Sequence, residues 1–168
     1  MTLLQYRLSC IDQYVQAGFA LFPTKNKIPL IKGWQLLQPS TSVSHDYLGI
    51  AYGVVLTATD VVIDFDPRRG ENQLTDFIKA LQLETPINTF IVRTASGGLH
   101  IYFKKPKDMR IPKRLNMYNA IDLQSAGRYV IGAGSTVNNT TYRIVRQSPS
   151  QIAELSSINV RNPVPNVS

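Results

Sequence analysis

Apolar residues recur along this chain at two different periods, and the two periods predict different elements. Leu4, Leu8, Ile11 and Val15 fall three or four positions apart, and Gly18 supplies a left-handed stop, so residues 3–17 are predicted as an amphipathic helix. A second stripe of Leu74, Phe77, Ile78 and Leu81 predicts a helix over 72–82, which Pro86 prevents from running on. Short β-branched and aromatic runs predict strands at 19–22, 50–55 and 61–66, the last two joined by the turn 57–60. Five more predicted strands, 90–94, 99–104, 120–123, 128–131 and 141–145, lie between Gly, Pro and Asn signals. Residues 35–48 are polar and weakly patterned, which predicts loop with room for one helical turn. Ser148, Pro149 and Gln151 combine an N-cap, a proline at the first helical position and a capping partner, so a helix over 149–156 is predicted, followed by an irregular tail through 162–166. Hairpin-like strands with a few helices indicate an α+β fold, one domain with a mixed or antiparallel sheet and helices packed to one side.

Composition narrows the class without changing that outline. A chain of 168 residues, 43% hydrophobic, is expected to bury about 70% of its unfolded surface and to need no staple. No apolar run approaches the roughly 18 residues of a membrane span, and the first residues lack a signal-peptide pattern, so a cytoplasmic location without a membrane partner is expected. A lone Cys10 excludes a disulfide framework and a cysteine-rich zinc module.

The net charge of +7 is unevenly spread. Residues 1–89 hold seven basic and eight acidic side chains, net −1, whereas residues 90–168 hold eleven and three, net +8. Lys104, Lys105, Lys107, Arg110, Lys113 and Arg114, interrupted by the single acid Asp108, form a cluster that attracts a polyphosphate or nucleic-acid backbone, or else a solvated basic loop. Lys25, Lys27 and Lys32 lie in a second basic, turn-rich stretch ending at Trp34.

Three segments carry candidate chemistry. In the strand Val61-Val62-Ile63-Asp64-Phe65-Asp66-Pro67, alternation puts Asp64 and Asp66 on one face, about 6 to 7 Å apart at the backbone. Two ionised carboxylates that close are relieved by a divalent cation such as Mg²⁺ or Mn²⁺, or they face water at a sheet rim. In Arg93-Thr94-Ala95-Ser96-Gly97-Gly98-Leu99-His100-Ile101-Tyr102, the glycines let backbone N–H groups cradle phosphate oxygens. There His100 and Tyr102 share one strand face, and His100 is either a ligand contact or a satisfied core histidine. In Ala120-Ile121-Asp122-Leu123, an acid among apolar strand residues needs a cation, a hydrogen-bond partner or an exposed face. Arg128 follows closely, as a phosphate contact or one half of a surface ion pair.

Taken in order, hydrophobic-DxD, a Gly-rich turn ending in His, and hydrophobic-Asp resemble the three motifs of the archaeo-eukaryotic primase superfamily. The likeness is nearest to the bifunctional primase/polymerase (prim-pol) domains of plasmids, phages and other mobile elements. It begins at Leu21-Phe22-Pro23 with Lys27, Pro29, Lys32, Gly33 and Trp34, and runs to Ser135. The spacing is 34 residues from Asp66 to His100 and 22 from His100 to Asp122. Many relatives carry Ser two residues before the motif histidine, where this chain has Gly98 and keeps Ser96 two further back. Some carry Glu where Asp66 stands.

The resemblance implies a primase/polymerase (RRM-like) catalytic core over 1–160 and a tail over 161–168. It implies that Asp64, Asp66 and Asp122 hold two Mg²⁺ or Mn²⁺ ions, with no zinc, and that His100 contacts the triphosphate of an incoming dNTP or NTP. Ser96, Gly97 and Arg128 are expected as further nucleotide contacts. Lys25, Lys27, Lys32, Lys104, Lys105, Lys107, Arg110, Lys113 and Arg114 are expected to track single-stranded DNA template and primer, with Trp34 or Tyr118 as stacking surfaces and a separate replicative helicase as a further candidate partner. The implied activity is template-dependent nucleotidyl transfer. A non-catalytic binding module of a replication initiator and a metal-dependent nuclease or nucleotide-sugar transferase are the alternatives, and the short, basic chain argues against the transferase.

Overall fold

Capping begins at the second residue. Thr2 accepts from the Gln5 backbone N–H while the Gln5 side chain accepts from the Thr2 N–H, and this capping box opens α1 (Leu3–Gln16). The structure is a computed structural model, and it describes residues 1–40, 43–115 and 117–155. After α1 come β1 (Leu21–Lys25), β2 (Ile28–Pro29), a single 3-10 turn (Trp34–Leu36), α2 (His45–Leu48), β3 (Tyr52–Val55) and β4 (Asp60–Phe65). A second 3-10 turn (Pro67–Arg69) leads to α3 (Gln73–Ala80), and then β5 (Ile91–Arg93), β6 (Leu99–Lys104), β7 (Ile121–Gln124) and β8 (Tyr129–Ile131). The last elements are β9 (Thr136–Val137), β10 (Thr140–Thr141), β11 (Arg143–Arg146) and β12 (Ala153–Glu154).

The strands form a four-stranded antiparallel sheet ordered β2-β1-β3-β8, a β9–β10 hairpin, and a larger sheet ordered β11-β5-β6-β4-β7. One core cluster joins α1 (Cys10, Ile11, Tyr14) to the smaller sheet (Leu21, Tyr52, Val54, Ile131) and to one face of the larger sheet (Val62, Val92, Tyr102). A second fills the opposite face of the larger sheet, where Ile63, Phe65, Ile101 and Leu123 meet Phe77, Ile78 and Leu81 of α3 and its exit. Buried tyrosines satisfy their polar ends within the first cluster: the Tyr14 and Tyr102 hydroxyls lie 2.9 Å apart and the Tyr52 hydroxyl donates to the Ala133 carbonyl. Among the described residues no helix is long and apolar enough to cross a membrane.

The α+β expectation holds, as do both long helices and the eight strands, with ends shifted by a few residues. The helices are not packed to one side, however: α1 and α3 cover opposite faces of the larger sheet, because both of its faces carry apolar residues to bury. The helix expected at 149–156 is corrected within its described part. Ser148 and Gln151 close only a turn, and Ala153–Glu154 instead pairs in parallel with Phe103–Lys104. The physical reason lies in β5, which covers β6 only from Leu99 to Ile101 and leaves the remaining edge to be completed. The Leu155 N–H then bonds the Lys104 carbonyl at 2.7 Å and its side chain is buried. The tail expected over 162–166 lies outside the described residues.

Candidate active site

Strand register assembles the site. In the larger sheet Asp64 is the direct partner of His100 on one side and of Asp122 on the other, so three functional side chains form one row across β6, β4 and β7. Cross-strand partners of this kind hold their Cα atoms about 4.5 to 5.5 Å apart. The register is fixed from behind, because Ile63, Phe65, Ile101, Ile121 and Leu123 all point into the cluster beneath α3. A one-residue slip would turn that set toward water and the acids into the core.

His100 is buried, with Nε2 3.4 Å from Asp64 Oδ1, and its Nδ1 has no hydrogen-bond partner among the described residues. Asp122 Oδ1 is likewise buried and unpartnered, while Oδ2 lies 3.8 Å from an Arg69 guanidinium nitrogen. Asp66 follows the end of β4. Its backbone N–H donates to the Ala120 carbonyl at 2.9 Å, and its carboxylate caps the turn that Pro67 starts. Arg68 grips that carboxylate through Nε and a terminal nitrogen, each at 2.9 Å.

Burial pushes the Asp64 carboxyl upward, but the His100 hydrogen bond and charge, with help from Gln124 and Lys27, outweigh it and hold the group below the usual carboxylate range. The Arg68 hydrogen bonds hold Asp66 low as well, against a small effect of burial. Both acids are therefore ionised at neutral pH.

All four motif residues line one pocket of about 410 Å³. Its walls add five cations, Lys27, Arg68, Arg69, Lys113 and Arg128, so positive charge exceeds the three carboxylates. Arg128 was expected as a nucleotide contact, whereas Lys27 and Lys113 were expected along the DNA strands and line this pocket instead. Arg68 and Arg69 were not singled out, although they directly follow the DxDP run that was. Ser96 is also on the pocket wall.

Gly97 does not present the free N–H donors expected of a phosphate cradle. Its N–H donates to the Thr94 carbonyl and that of Gly98 to Thr94 Oγ1, each at 3.0 Å, so both donors are consumed in closing the β5–β6 hairpin. Gly98 is required for another reason: a Cβ there would lie 2.1 Å from the Phe65 carbonyl oxygen, at the exit of β4.

The basic run divides. Lys105 is corrected as a strand contact, because it is buried and its ammonium donates to the Ala58 and Met109 carbonyls at 2.6 Å and to Pro106 at 3.4 Å. Lys104 pairs with Asp60 at 2.5 Å and lies over the Phe19 ring. Lys107, Arg110, Lys113 and Arg114 are exposed, and Lys113 and Arg114 run along the outer edge of β7, where the Leu123 N–H bonds the Lys113 carbonyl at 2.7 Å. Lys25 and Lys32 are exposed away from the pocket wall that Lys27 joins. Tyr118 is a core residue against Phe77, which removes it as a stacking surface. Trp34 is half-buried at the pocket, stacked on Phe22 at 5.2 Å and edge-on to Tyr129.

Among the described residues no group of three or more His, Cys, Asp or Glu converges as a metal-ligand cluster. The expected trio is present as a facing pair, Asp64 and Asp122, with Asp66 beside it but held by Arg68. That pair fits a hard divalent cation: its oxygens are of the right type, and the buried Asp122 Oδ1 lacks any other partner.

A family model described as bifunctional DNA primase/polymerase, N-terminal, matches residues 12–158. The chain belongs to that family, and a DNA primase/polymerase type of function goes with it. A search of curated proteins finds no match.

Proposed function

We propose that this member of the primase/polymerase family is a template-dependent nucleotidyltransferase that adds nucleotides to a primer strand on single-stranded DNA, in the replication of a mobile element. The observation that carries the reading is the row His100–Asp64–Asp122 on the wall of a cation-rimmed pocket. A volume near 410 Å³ suits a nucleotide, since small-molecule sites run from roughly 300 to 1,000 Å³. The resemblance to proteins of plasmids and phages supports the mobile-element setting.

Asp64 and Asp122 would hold divalent cations, with Asp66 as the third carboxylate once Arg68 lets it go. Bound Mg²⁺ or Mn²⁺ supplies charge neutralisation on the triphosphate and a more acidic primer hydroxyl. His100, buried and steadied by Asp64, presents a fixed imidazole to the phosphates. Lys27, Arg69, Lys113 and Arg128 surround the same space and offset negative charge that builds on the pyrophosphate as it leaves. Arg128 also anchors itself weakly to the Leu123 carbonyl at 3.4 Å, which leaves its remaining donors for phosphate oxygens.

The test uses the purified chain, primed and unprimed single-stranded DNA, Mg²⁺ or Mn²⁺, and labelled dNTPs or NTPs. Primer extension by the wild type and not by Asp64→Ala is the expected result. Strand shortening would point to a nuclease, and a mobility shift without chemistry to a binding module; either would overturn the reading.

A further inference from the structure

The face of the larger sheet that turns away from the pocket carries charges the site does not use. Arg93 in β5 and Arg143 in β11 are direct partners across an antiparallel pair, so two arginine side chains leave neighbouring strands on the same side. Like charges opposed in this way weaken a ladder unless something negative lies between them. Both residues are exposed, and among the described residues none of Arg93, Arg143 and Arg146 forms an ion pair. Arg143 rests over the Tyr6 ring at 5.3 Å, and one Arg146 nitrogen donates to the Ile87 carbonyl at 3.2 Å.

A register irregularity brings the third arginine into line. Pairing skips Val145, so Arg146 opposes Ile91. In regular alternation Arg146 would share a face with Ile144, on the pocket side; the extra residue turns it to the face of Arg143 and Arg93. The Arg93 row continues through Leu99, Phe65 and Ile121, which belong to the cluster beneath α3, so the arginine side chains leave their strands on that side at the sheet edge. There Arg143 curls over the edge onto Tyr6 of α1 and Arg146 stays against Ile87. Along β11 the three steps from Arg143 to Arg146 span about 10 Å. At the other end Arg93 adjoins Thr94 and Ser96, which line the pocket, so the positive strip reaches the pocket rim around the hairpin tip. At this edge the outward Ile144 N–H is already taken by the Tyr6 hydroxyl at 2.7 Å.

We propose that Arg93, Arg143 and Arg146 form a second nucleic-acid contact, a track for the phosphodiester backbone of the template strand beyond the segment that occupies the pocket. The choice of DNA as occupant rests on the polymerase reading of the pocket; the positive strip itself does not. It explains why a like-charge cross-strand pair is kept together and why a bulge adds a third cation to it.

Fluorescence polarisation with labelled 8-nucleotide and 30-nucleotide single-stranded DNA across a KCl series tests it, with dNTP affinity measured by calorimetry. In Arg143→Gln/Arg146→Gln the 30-nucleotide affinity is expected to fall about tenfold and the log–log salt slope by about 1.4, two phosphate contacts having been lost. The 8-nucleotide and dNTP affinities stay unchanged. Arg93→Glu weakens the long strand too, yet raises the melting temperature, since repulsion with Arg143 becomes a cross-strand ion pair. Unchanged long-strand affinity and slope in both variants overturn the proposal, as does an equal loss for the 8-mer and the nucleotide. Wild-type protein that binds the 30-mer through these arginines but never extends a primer would sink the polymerase reading and leave the track standing.

Discussion

One strand face carries two aspartates four residues apart, and the chain treats them in opposite ways. Asp60, at the start of β4, is 3% exposed and fully partnered: Lys104 Nζ at 2.5 Å, the Thr57 N–H at 2.8 Å and the Thr57 hydroxyl at 3.0 Å. Asp64, at the other end, has His100 at 3.4 Å and a facing Asp122 with a buried, unpartnered oxygen. Val62 between them is fully buried, so both acids hang on the same rigid element. A buried carboxylate with both oxygens bonded and a counter-ion stiffens a fold, whereas one left incomplete beside a second like charge is held ready for something that arrives from outside. Asp60 closes a turn, and Asp64 opens a site.

Exchanging each for its amide should separate the two roles most widely. Asp64→Asn is expected to reduce primer extension by about 10³-fold or more while thermal stability stays near wild type, because the lost charge served a ligand rather than the core. Asp60→Asn is expected to cost about 2 to 4 kcal/mol of folding stability, since Lys104 keeps its charge and loses its counter-ion, with extension by the folded fraction close to normal. Extension assays and urea titrations on both variants decide it. Similar stability losses in the two, or similar activity losses, would erase the distinction.

A smaller effect is expected where the site meets the fold. Gly98→Ala places a methyl against the Phe65 carbonyl, and relieving that clash must move either the hairpin or the end of β4 that carries Asp66. A loss of about 1 to 3 kcal/mol is expected, together with a raised KM for nucleotide. An unchanged KM would mean that the hairpin yields and β4 does not.

Alternation of apolar and acidic residues in 61–66 already implied which side chains share a face, and strand pairing then had one register that buried Ile63 and Phe65. Alternation thus made the shared face of Asp64 and Asp66 legible before any coordinates, whereas the joining of His100 and Asp122 to them came only from the resemblance. What local pattern could not reveal was the competition for each polar group. Gly97 looked like a free donor until the hairpin claimed its N–H, and Asp66 looked like an open ligand until Arg68, two residues on, closed over it. The helix expected from Ser148 and Pro149 failed on the same ground, because an unfilled edge of β6 outweighed a good cap. Arg143 sat in a predicted strand and Arg146 one residue past its end, and their shared face depends on a bulge that has no signature in the residues themselves.

The least effect belongs to Lys105, and it sharpens the same lesson on a cation. Lys105 is neighbour to Lys104 and Lys107 in a run that reads as uniformly basic, yet its ammonium ties the Ala58 turn to Met109, at the start of the segment that leads to Lys113. Lys105→Met is expected to lower stability by about 1 to 2 kcal/mol and to leave the salt slope of DNA binding unchanged, whereas Lys107→Met leaves stability alone and reduces the slope by about 0.7. Burial holds the Lys105 pKa below the usual lysine value, against the pull of Asp60 and Asp108. For a base depressed in this way the folded chain pays for the charged form at neutral pH. Stability contributed by Lys105 should therefore rise as pH climbs through its folded pKa toward the unfolded value, and that rise should vanish in Lys105→Met. Parallel alkaline stability curves for wild type and variant, with a reduced salt slope, would return Lys105 to the DNA-facing set.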